Sequence, residues 1–401
     1  MIDKKLVTLL HEFKQIGLTS MGGVTRCVYD DNWILAQKKY VKIANDYGLY
    51  CFCDKMGTIY AATSDHISHK SVILTGSHMD TVINGGWLDG IYGVLSSVLA
   101  VGQLLQKFGA PKIPLCAVSF SEEEGSRFDT TFTGSRYLTH QLSRGVFDLK
   151  DSIGIIFDEE RQKRVTELSQ VTPIRTPDFK IRSYIELHIE QGNLLEQSHT
   201  NIAVVTDIVG QKRLLITTNG ISNHAGTTQM FGRADAMQRA VDLMTQIYSS
   251  LGMMKGVRFT IGKIIAFPNV ANVIPEKVDI TLDIRHIDQH VLDDAFEKVI
   301  KITDAVGATY RLTTNVEATP MDNQLQQQVI NSIKQEKLVG ERLFSGAGHD
   351  AQVIANSKIP SVMIFVPSKN GMSHVPQEDT AESDLLAGQH VLQRLLYELA
   401  Y

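Results

Sequence analysis

The sequence predicts an α/β protein in which a discontinuous outer domain is interrupted by an inserted α+β domain. Three observations lead to this fold class. The chain has 401 residues, which is long for one compact core. Helical and strand patterns alternate in its outer parts, as in a mostly parallel sheet covered by helices. Between about Gly210 and Thr319, by contrast, strands with one solvent-exposed polar face indicate an open-faced antiparallel sheet.

The first part of the chain belongs to the outer domain. Asp31 is placed to cap a helix whose apolar residues recur at helical spacing and which stops near Gly48. Apolar runs at residues 72–74 and 115–120 predict two buried strands, and the segment from Gly90 to Lys107 predicts the helix between them. This segment is slightly too short and too polar to span a bilayer, so we expect a buried helix and not a membrane anchor.

The inserted segment has a different pattern. Apolar residues from Val278 to Ile284 alternate with polar residues from Asp279 to Arg285, which is typical of a strand with one buried face. The predicted compact unit is completed by strands at residues 213–218 and 257–265 and by helices at residues 235–250 and 291–306.

After the insert, the β/α pattern returns with a helix through Ile333, a buried strand at residues 362–366 and a last helix from Ser383 to Leu399. Residues with catalytic character lie on both sides of the insert. We therefore assign residues 1–209 and 320–401 to one discontinuous domain and residues 210–319 to the inserted domain.

The composition excludes several classes of function. The chain carries 39 basic and 44 acidic residues and has no lysine or arginine cluster suited to a phosphate backbone, so we expect no nucleic-acid partner. The N-terminal stretch MIDKKLVTLLHEF fits an amphipathic helix better than a secretory signal. Four cysteines are too few for a disulfide framework in a chain of this length. Together these features predict a cytoplasmic protein that binds no membrane.

The first candidate site residues, His78 and Asp80, follow a buried strand directly. In parallel sheets, the groups that carry out chemistry collect beyond the carboxyl ends of the strands. Asp80 is placed to accept the second imidazole N–H of His78 and to fix its tautomer, as metal-bound histidines need. An ordinary polar pair in a loop is the alternative explanation for this motif on its own.

Asp89 is flanked by glycines just before the long apolar helix. The glycines Gly85, Gly86 and Gly90 allow the tight backbone bend that would bring a carboxylate close to a cation. The alternative is that Asp89 only caps the helix.

Three consecutive glutamates, Glu122, Glu123 and Glu124, follow the apolar strand at residues 115–120. Acidic runs are normally solvated loop charges. In a cleft, however, like charges are unfavourable unless a cation neutralises them or one carboxylate takes a proton. Because adjacent residues point in different directions, this run predicts a metal ligand and a general base side by side.

Two histidines, His188 in ELHIEQG and His374 in the dipeptide SH, add further donors. A single histidine is more often a structural residue. A set of five oxygen and nitrogen donors, most of them beside strand ends, is harder to explain without a metal.

Six motifs along nearly the whole chain resemble the binuclear metal amidohydrolases related to aminoacylases, and most closely the ureido-hydrolysing branch of that family. They are GSHMDT, LDG, EEEGSRF, ELHIEQG, NHAGTT and SGAGHDA. The resemblance implies that the outer domain is catalytic and that the insert is a lid that also forms a homodimer. It also implies two divalent metal ions per chain, either zinc or manganese, with cobalt possible.

The resemblance implies a role for each candidate ligand. His78 and His188 bind one metal, Glu124 and His374 bind the other, and Asp89 bridges the two. The assignment of Glu124 follows the family's Glu-Glu-Gly ending, because spacing alone does not choose among the three glutamates.

The catalytic roles follow from the same resemblance. Glu123 is the expected general base, which accepts a proton from water and returns it to the leaving nitrogen. His224 in NHAGTT is expected to stabilise the transition state and to come from the partner subunit. His349 and Asp350 match a family motif, but the sequence assigns them no role.

The insert is expected to recognise the substrate. Arg285 lies on the polar face of its strand and could hold a substrate carboxylate with two hydrogen bonds, although a surface pair with Asp283 or Asp279 is the alternative. The family resemblance adds Gln211, Asn272 and the backbone of Gly371 as further substrate contacts.

The implied reaction is hydrolysis of a ureido C–N bond in a small ureido acid. The segment from Gly23 to Arg26 and the pair Asn370-Gly371 resemble the members of this branch that act on allantoate. The resemblance thus implies that allantoate is converted to ureidoglycine with release of ammonia and carbon dioxide, in purine degradation. An N-carbamoyl-L-amino acid is the alternative substrate. Gln229 departs from the family's usual proline, which frees one φ angle and removes no catalytic group.

An alternative of another class is a metal-free binding protein on the same scaffold. Such a protein would have lost metal ligands, yet all five are present in this sequence. Metal analysis and activity assays separate these alternatives.

Overall fold

The computed structural model describes residues 2–401, with side chains from Lys4 onwards. Its strands are β1 Tyr50–Cys53, β2 Ile59–Ala62, β3 Ser71–His78, β4 Leu115–Phe120, β5 Lys180–Ile189, β6 Ile202–Ile208, β7 Gly210–Asn219, β8 Arg258–Phe267, β9 Lys277–His286, β10 Thr309–Val316, β11 Thr319–Pro320, β12 Gly340–Ser345 and β13 Ser361–Val366. Its α-helices are α1 Ile2–Lys14, α2 Asp31–Asp46, α3 Ile91–Phe108, α4 Thr133–Leu138, α5 Phe157–Leu168, α6 Leu194–Ser198, α7 Ala236–Leu251, α8 Gln289–Ala305, α9 Asn323–Gln335, α10 Asp350–Asn356 and α11 Glu382–Ala400. Short 3₁₀ helices lie at Arg144–Asp148 and Lys369–Gly371.

The chain forms two compact units. The first unit contains Met1–Thr206 and Pro320–Tyr401, and the second contains Asp207–Thr319. The second unit therefore begins at Asp207, whereas the sequence analysis placed the start of the insert at Gly210.

The first unit is built on a large mixed sheet with the strand order β1-β2-β4-β3-β5-β13-β6-β11, in which β12 also pairs with β6. The pairs β4/β3, β3/β5 and β5/β13 are parallel, whereas β1/β2, β2/β4 and β13/β6 are antiparallel. The predicted α/β class is confirmed, and the parallel strands form the centre of the sheet. This centre places His78 at the end of β3 and His188 near the end of β5.

Helix α3 is the central helix of the first unit. It packs against β3, β4 and α11, and its residues are buried from Ile91 to Gly102. Its length and composition would allow it to cross a membrane, but it is mostly buried within the protein, as a core helix is. The helix begins after Gly90, which has φ 65°, and ends at Gly109.

The predicted cap of helix α2 is wrong by one residue. Asp30 is the N-cap and its carboxylate accepts the Trp33 N–H at 2.6 Å. Asp31 is the first residue of the helix, and its carboxylate lies 2.6 Å from Arg164 Nη2. The two neighbouring aspartates are both suitable caps by residue type, so the sequence alone does not separate them.

The second unit is a four-stranded antiparallel sheet with the order β10-β7-β9-β8. Helices α7 and α8 pack against this sheet, and the apolar residues Val278 to Ile284 of β9 are buried as predicted. Each helix has an aspartate N-cap, Asp235 for α7 and Asp288 for α8. The other face of the sheet carries polar side chains, which confirms the open-faced antiparallel sheet of the predicted fold class.

Candidate active site

Two buried histidines lie at the carboxyl ends of neighbouring strands in the first unit. His78 Nε2 lies 3.5 Å and His188 Nε2 lies 3.1 Å from the same oxygen, Asp89 Oδ1. The Nδ1 atoms face carbonyl oxygens, of Asp80 at 3.1 Å and of Ile189 at 2.9 Å. Because a carbonyl oxygen only accepts, each Nδ1 carries a proton, and each Nε2 is the nitrogen that faces Asp89 and would bind a metal.

Asp89 does not cap helix α3. Gly90 is the N-cap residue and makes no side-chain capping bond, while the carboxylate of Asp89 faces the histidines. Its second oxygen, Oδ2, lies 3.0 Å from His374 Nε2. Asp89 therefore presents one oxygen to His78 and His188 and the other to His374, as a bridging carboxylate would.

Glu124 and His374 form the second half of the cleft. Glu124 Oε2 lies 3.5 Å from His374 Nε2, and Glu124 Oε1 is buried without a hydrogen-bond partner. His374 is half exposed and has φ 60°, a left-handed conformation that is uncommon for a non-glycine residue. The hydrogen bond with Asp89 raises the pKa of His374 to about 9.

Two groups of candidate ligands meet at Asp89. One contains His78, Asp89 and His188, and the other contains Asp89, Glu124 and His374. Within each group, one possible ligand atom from every residue lies within 4.8 Å of the others. The structure thus brings all five sequence-predicted metal ligands into one cleft.

The electrostatics of the cleft fit bound cations. Burial and, to a smaller extent, the negative charge of Asp89 raise the pKa of Glu124 to about 8. Burial also opposes ionisation of Asp89, but hydrogen bonds from His188, His374 and His78 hold its pKa well below its usual range. A buried cluster of carboxylates with an unpaired oxygen is unfavourable by itself and is favourable around divalent ions. Oxygen and nitrogen donors are also the set that such ions prefer.

Asp80 holds more of the site than the sequence analysis predicted. One carboxylate oxygen lies 3.4 Å from His78 Nδ1. The same carboxylate accepts the backbone N–H of Glu123 at 3.0 Å and that of Glu124 at 3.1 Å. Asp80 therefore fixes both the histidine and the loop that carries the glutamates.

The three glutamates have different surroundings. Glu122 is fully buried and accepts a hydrogen bond from Thr133 at 3.2 Å, away from the other candidate ligands. Glu123 is only 9% exposed, and burial raises its pKa well above its usual range, opposed by His78 and reinforced by Glu124. These positions are consistent with Glu123 as the base and Glu124 as the ligand.

The sequence reasoning missed several residues of the cleft. The amide of Gln191 donates to Asp89 Oδ2 at 2.9 Å. Glu186 accepts hydrogen bonds from Ser77 at 2.7 Å and from the N–H of Ala351 at 2.9 Å. Gln191 and Glu186 lie in the same ELHIEQG motif as His188, so the motif itself was the available signal.

His349 and Asp350, which had no predicted role, are buried beside the cleft. His349 stacks edge-on against His188 at 4.7 Å between ring centroids, and its Nε2 lies 2.9 Å from Ser345 Oγ. Burial raises the pKa of the Asp350 carboxyl well above its usual range, and the nearby Glu186 adds to the effect.

Gly371 lies in the short 3₁₀ helix before His374. Its φ is 64°, and its N–H donates to the carbonyl oxygen of Ser368 at 2.9 Å. Because this N–H is already bonded, the predicted backbone contact of Gly371 with substrate would use its carbonyl oxygen, or its N–H after the bond to Ser368 is broken.

In the second unit, His224 lies in an exposed loop. Its Nδ1 accepts the N–H groups of Gly226 at 3.1 Å and Thr227 at 3.2 Å. The proton is therefore on Nε2, which is left to donate. The loop lies against Asn272, whose carbonyl oxygen accepts the N–H of Ala225 at 3.0 Å. His224 and Asn272, both predicted site residues, are thus close in the same unit.

Arg285 and Gln211 meet on the polar face of the second sheet, opposite each other in the β7/β9 register. Arg285 Nε donates to Asp283 Oδ1 at 2.9 Å, and the amide of Gln211 donates to Asp283 Oδ2 at 2.5 Å. Of the two carboxylates considered as surface partners for Arg285, the structure thus pairs it with Asp283. Arg285 also lines an open cavity of about 330 Å³ together with Arg258 and Phe259.

The chain is similar to several known proteins. Residues 74–398 match the family model of peptidase family M20/M25/M40. An allantoate amidohydrolase of Bacillus subtilis (strain 168) is 39% identical, over 100% of this chain and 98% of that protein. An N-carbamoyl-L-amino acid amidohydrolase of Geobacillus stearothermophilus is 30% identical, over 99% of this chain and 98% of that protein. The crystal structure of an amidase of the hydantoinase/carbamoylase family from Burkholderia multivorans has a TM-score of 0.87 at 29% identity, covering 99% of this chain and 98% of that chain.

Proposed function

Because the chain belongs to peptidase family M20/M25/M40, we propose that it hydrolyses a ureido C–N bond and that its substrate is allantoate. The resemblance inferred from the six motifs is confirmed, and so is the assignment to hydrolases of C–N bonds. The observation that supports the proposal most is Asp89, whose two oxygens face two groups of candidate ligands in one buried cleft. The full-length likeness to an allantoate amidohydrolase supports the substrate.

In this proposal, His78, His188 and Asp89 hold one divalent ion, and Asp89, Glu124 and His374 hold the second. Divalent ions in such a site make water acidic near neutral pH and polarise the carbonyl of the substrate. Zinc, manganese and cobalt all accept these ligands, so availability decides which one is used.

Glu123 is the proposed general base. Its backbone is fixed by Asp80, and its carboxyl lies in the same group of side chains as His78 and Glu124. Its raised pKa gives the carboxylate a high affinity for a proton from the attacking water. Glu123 then returns this proton to the nitrogen that leaves when the C–N bond breaks.

The second unit is proposed to recognise the substrate and to stabilise the transition state. His224 carries its proton on Nε2 and is therefore ready to donate to a developing oxyanion. Arg285 binds the substrate carboxylate in place of Asp283, and Gln211 and Asn272 make further contacts with the substrate. Gly371 contributes a backbone contact from the first unit.

We also propose that the enzyme is a cytoplasmic homodimer, in which His224 is supplied by the partner subunit. The outer strand β8 of the second sheet supports dimerisation, because Ile264 is 49% exposed and Phe267 is 38% exposed on it. An unpaired strand edge with apolar side chains is a favourable surface for pairing with a second copy. All four cysteines are free, as expected in a reducing compartment.

The N-carbamoyl-L-amino acid is the second candidate substrate, because an amidohydrolase of that kind is 30% identical over nearly the whole chain. Ammonia release from allantoate and turnover of N-carbamoyl amino acids should be measured after chelation and addition of zinc, manganese or cobalt. We expect a clear preference for allantoate and a large loss of activity in the Glu123→Gln variant. A preference for N-carbamoyl amino acids would overturn the choice of substrate. Well under one bound ion per chain, with no activity on metal addition, would favour a binding protein.

A further inference from the structure

A buried carboxylate outside the predicted ligand set connects two parts of the active site. Glu378 is 1% exposed and follows His374 in the chain. Its Oε1 accepts the backbone N–H of Leu88 at 2.8 Å and that of Asp89 at 3.0 Å. Its Oε2 accepts the hydroxyl of Ser373 at 2.8 Å.

These contacts join segments that are far apart in sequence. Asp89 is the candidate bridging ligand, and Ser373 directly precedes the candidate ligand His374. A tight turn completes the connection, since the N–H of Glu378 donates to the carbonyl oxygen of Val375 at 3.1 Å. The left-handed conformation of His374 lies inside this closed segment. One carboxylate therefore connects the segment of Asp89 to the segment of His374.

The surroundings of Glu378 are closely fitted to its carboxylate. A Cβ atom at Gly86 would lie 2.0 Å from Glu378 Oε1, so the backbone approaches the carboxylate as only glycine allows. The indole N–H of Trp87 also donates to the carbonyl oxygen of Glu378 at 2.8 Å. Both residues belong to the loop that presents Asp89.

The contacts also separate Glu378 from the ligands themselves. Its oxygens are occupied by three donors, and it lies in neither of the ligand groups that share Asp89. Asp80 makes the corresponding contacts on the other side of the cleft, where it accepts two N–H groups of the glutamate loop. The cleft thus has a buried carboxylate behind each half of its ligand set.

We propose that Glu378 is a positioning residue for the metal position formed by Asp89, Glu124 and His374. The inference rests on the proposed function in so far as a metal pair is needed there. Glu378 acts through Asp89 and Ser373, which it holds in place, and is not one of the proposed metal ligands. Residues that orient metal ligands in this way typically change metal affinity by about 10- to 100-fold when they are replaced.

The test is a titration of the chelator-treated full-length protein with Co²⁺ alone, followed by calorimetry and by the visible absorption of bound cobalt. We expect two ions to bind to the wild-type protein. In Glu378→Ala, the N–H groups of Leu88 and Asp89 lose their acceptor, and the second ion should bind about 10- to 100-fold more weakly. The first ion should change less, because His78 and His188 are held by β3 and β5 and make no contact with Glu378.

Two matched variants separate the contribution of the N–H contacts of Glu378 from that of its contact with Ser373. Glu378→Gln keeps an oxygen for the N–H groups of Leu88 and Asp89, and its amide can donate to Ser373, so binding of the second ion should be largely restored. Ser373→Ala removes the link between Glu378 and the segment of His374. It also removes longer contacts of the hydroxyl, to Asp89 at 3.4 Å and from Gln191 at 3.3 Å. It keeps both N–H contacts of Glu378, so its effect should be smaller than that of Glu378→Ala.

A purely structural role predicts a different pattern. If Glu378→Ala lowers the midpoint of thermal unfolding of the metal-free protein while both Co²⁺ affinities stay unchanged, the inference is overturned. The same follows if both ions weaken equally and Glu378→Gln behaves like Glu378→Ala. If the wild-type protein binds two ions but does not hydrolyse allantoate, the proposed function fails and this inference stands.

Discussion

The two compact units hold their candidate residues in opposite ways. In the first unit, His78 and His188 are buried and lie within 3.5 Å of Asp89. In the second unit, His224 lies in an exposed loop and Arg285 is already paired with Asp283. The first unit therefore carries a preformed set of candidate ligands, whereas in the second unit the proposed substrate contact Arg285 must exchange its partner. Preformed geometry suits metal binding, and exchangeable partners suit a ligand that arrives and leaves.

The largest expected effect tests whether the first unit is preformed. Glu123→Gln removes the proposed base and keeps the size of the side chain, so kcat should fall by about 10²- to 10⁴-fold. Metal content and thermal unfolding should change little, because Asp80 contacts only the backbone N–H of residue 123. Steady-state kinetics with metal analysis measures both quantities. Loss of the metals together with activity would show that Glu123 is a ligand and not the base.

The next effect concerns the second unit. His224→Ala removes the proposed donor to the oxyanion, and kcat should fall by about 10²- to 10³-fold while metal binding is unchanged. Mixing His224→Ala with Glu123→Gln after exchange of subunits should recover activity, because a mixed dimer would contain one intact site. No recovery from a mixture whose subunits have exchanged would contradict the supply of His224 by the partner subunit.

A smaller effect is expected for substrate recognition. Arg285→Gln should raise KM by about 10- to 100-fold, because a hydrogen-bonded charge pair with the substrate carboxylate is lost. Arg213→Gln is the matched control, since Arg213 also donates to Asp283, at 2.9 Å, but is not a proposed substrate contact. Equal KM changes in both variants would mean that Arg285 acts only through its pair with Asp283.

The smallest expected effect is on the pH dependence of stability, and it compares one carboxyl group from each unit. Burial raises the pKa of Asp54 from 3.8 to about 7, although it accepts N–H groups of Met56 and Thr58. A carboxyl with a raised pKa stabilises the fold below its unfolded pKa and loses this contribution as pH rises through its folded value. The pKa of Asp283 is shifted in the opposite direction. Burial alone would raise its pKa, but hydrogen bonds and charge from Arg285 and Arg213 lower it.

These signs predict opposite pH profiles. Relative to the wild-type protein, Asp54→Asn should gain stability as pH rises from about 4 to about 7. Asp283→Asn should lose relative stability as pH rises above the lowered pKa of Asp283 towards its unfolded value. Denaturant unfolding at a series of pH values measures both. Parallel profiles for the two variants would contradict this distinction between the units.

The sequence predicted the residues of the first unit best where a strand end fixed their position. His78 follows the predicted strand at residues 72–74, and the carboxyl ends of parallel strands meet at one edge of the sheet, where His188 also lies. The choice of Glu124 over Glu122 needed the family motif, because neighbouring residues of one loop differ only in direction. Glu122 proved to point towards Thr133.

Other features gave no usable signal in the sequence. The alternation of apolar and polar residues in β9 predicted that Arg285 lies on the solvent-exposed face of the sheet. Only the strand register shows that Gln211 lies opposite it. Glu378 lies in a polar stretch and binds backbone N–H groups 289 and 290 positions away. Because almost any residue type can supply a backbone N–H, nothing in the sequence indicates such a contact. Only the three-dimensional structure shows it.

The neighbouring strands β6 and β11 have a consequence for how such a protein can be modified by evolution or by engineering. The chain leaves the large sheet along β6 and rejoins it along β11, and the N–H of Met321 donates to the carbonyl oxygen of Thr206 at 2.9 Å. Residues 207–319 therefore form an inserted segment whose two ends are adjacent. A segment of another length or specificity can replace it at this junction without interrupting β3 and β5, which carry the candidate ligands His78 and His188.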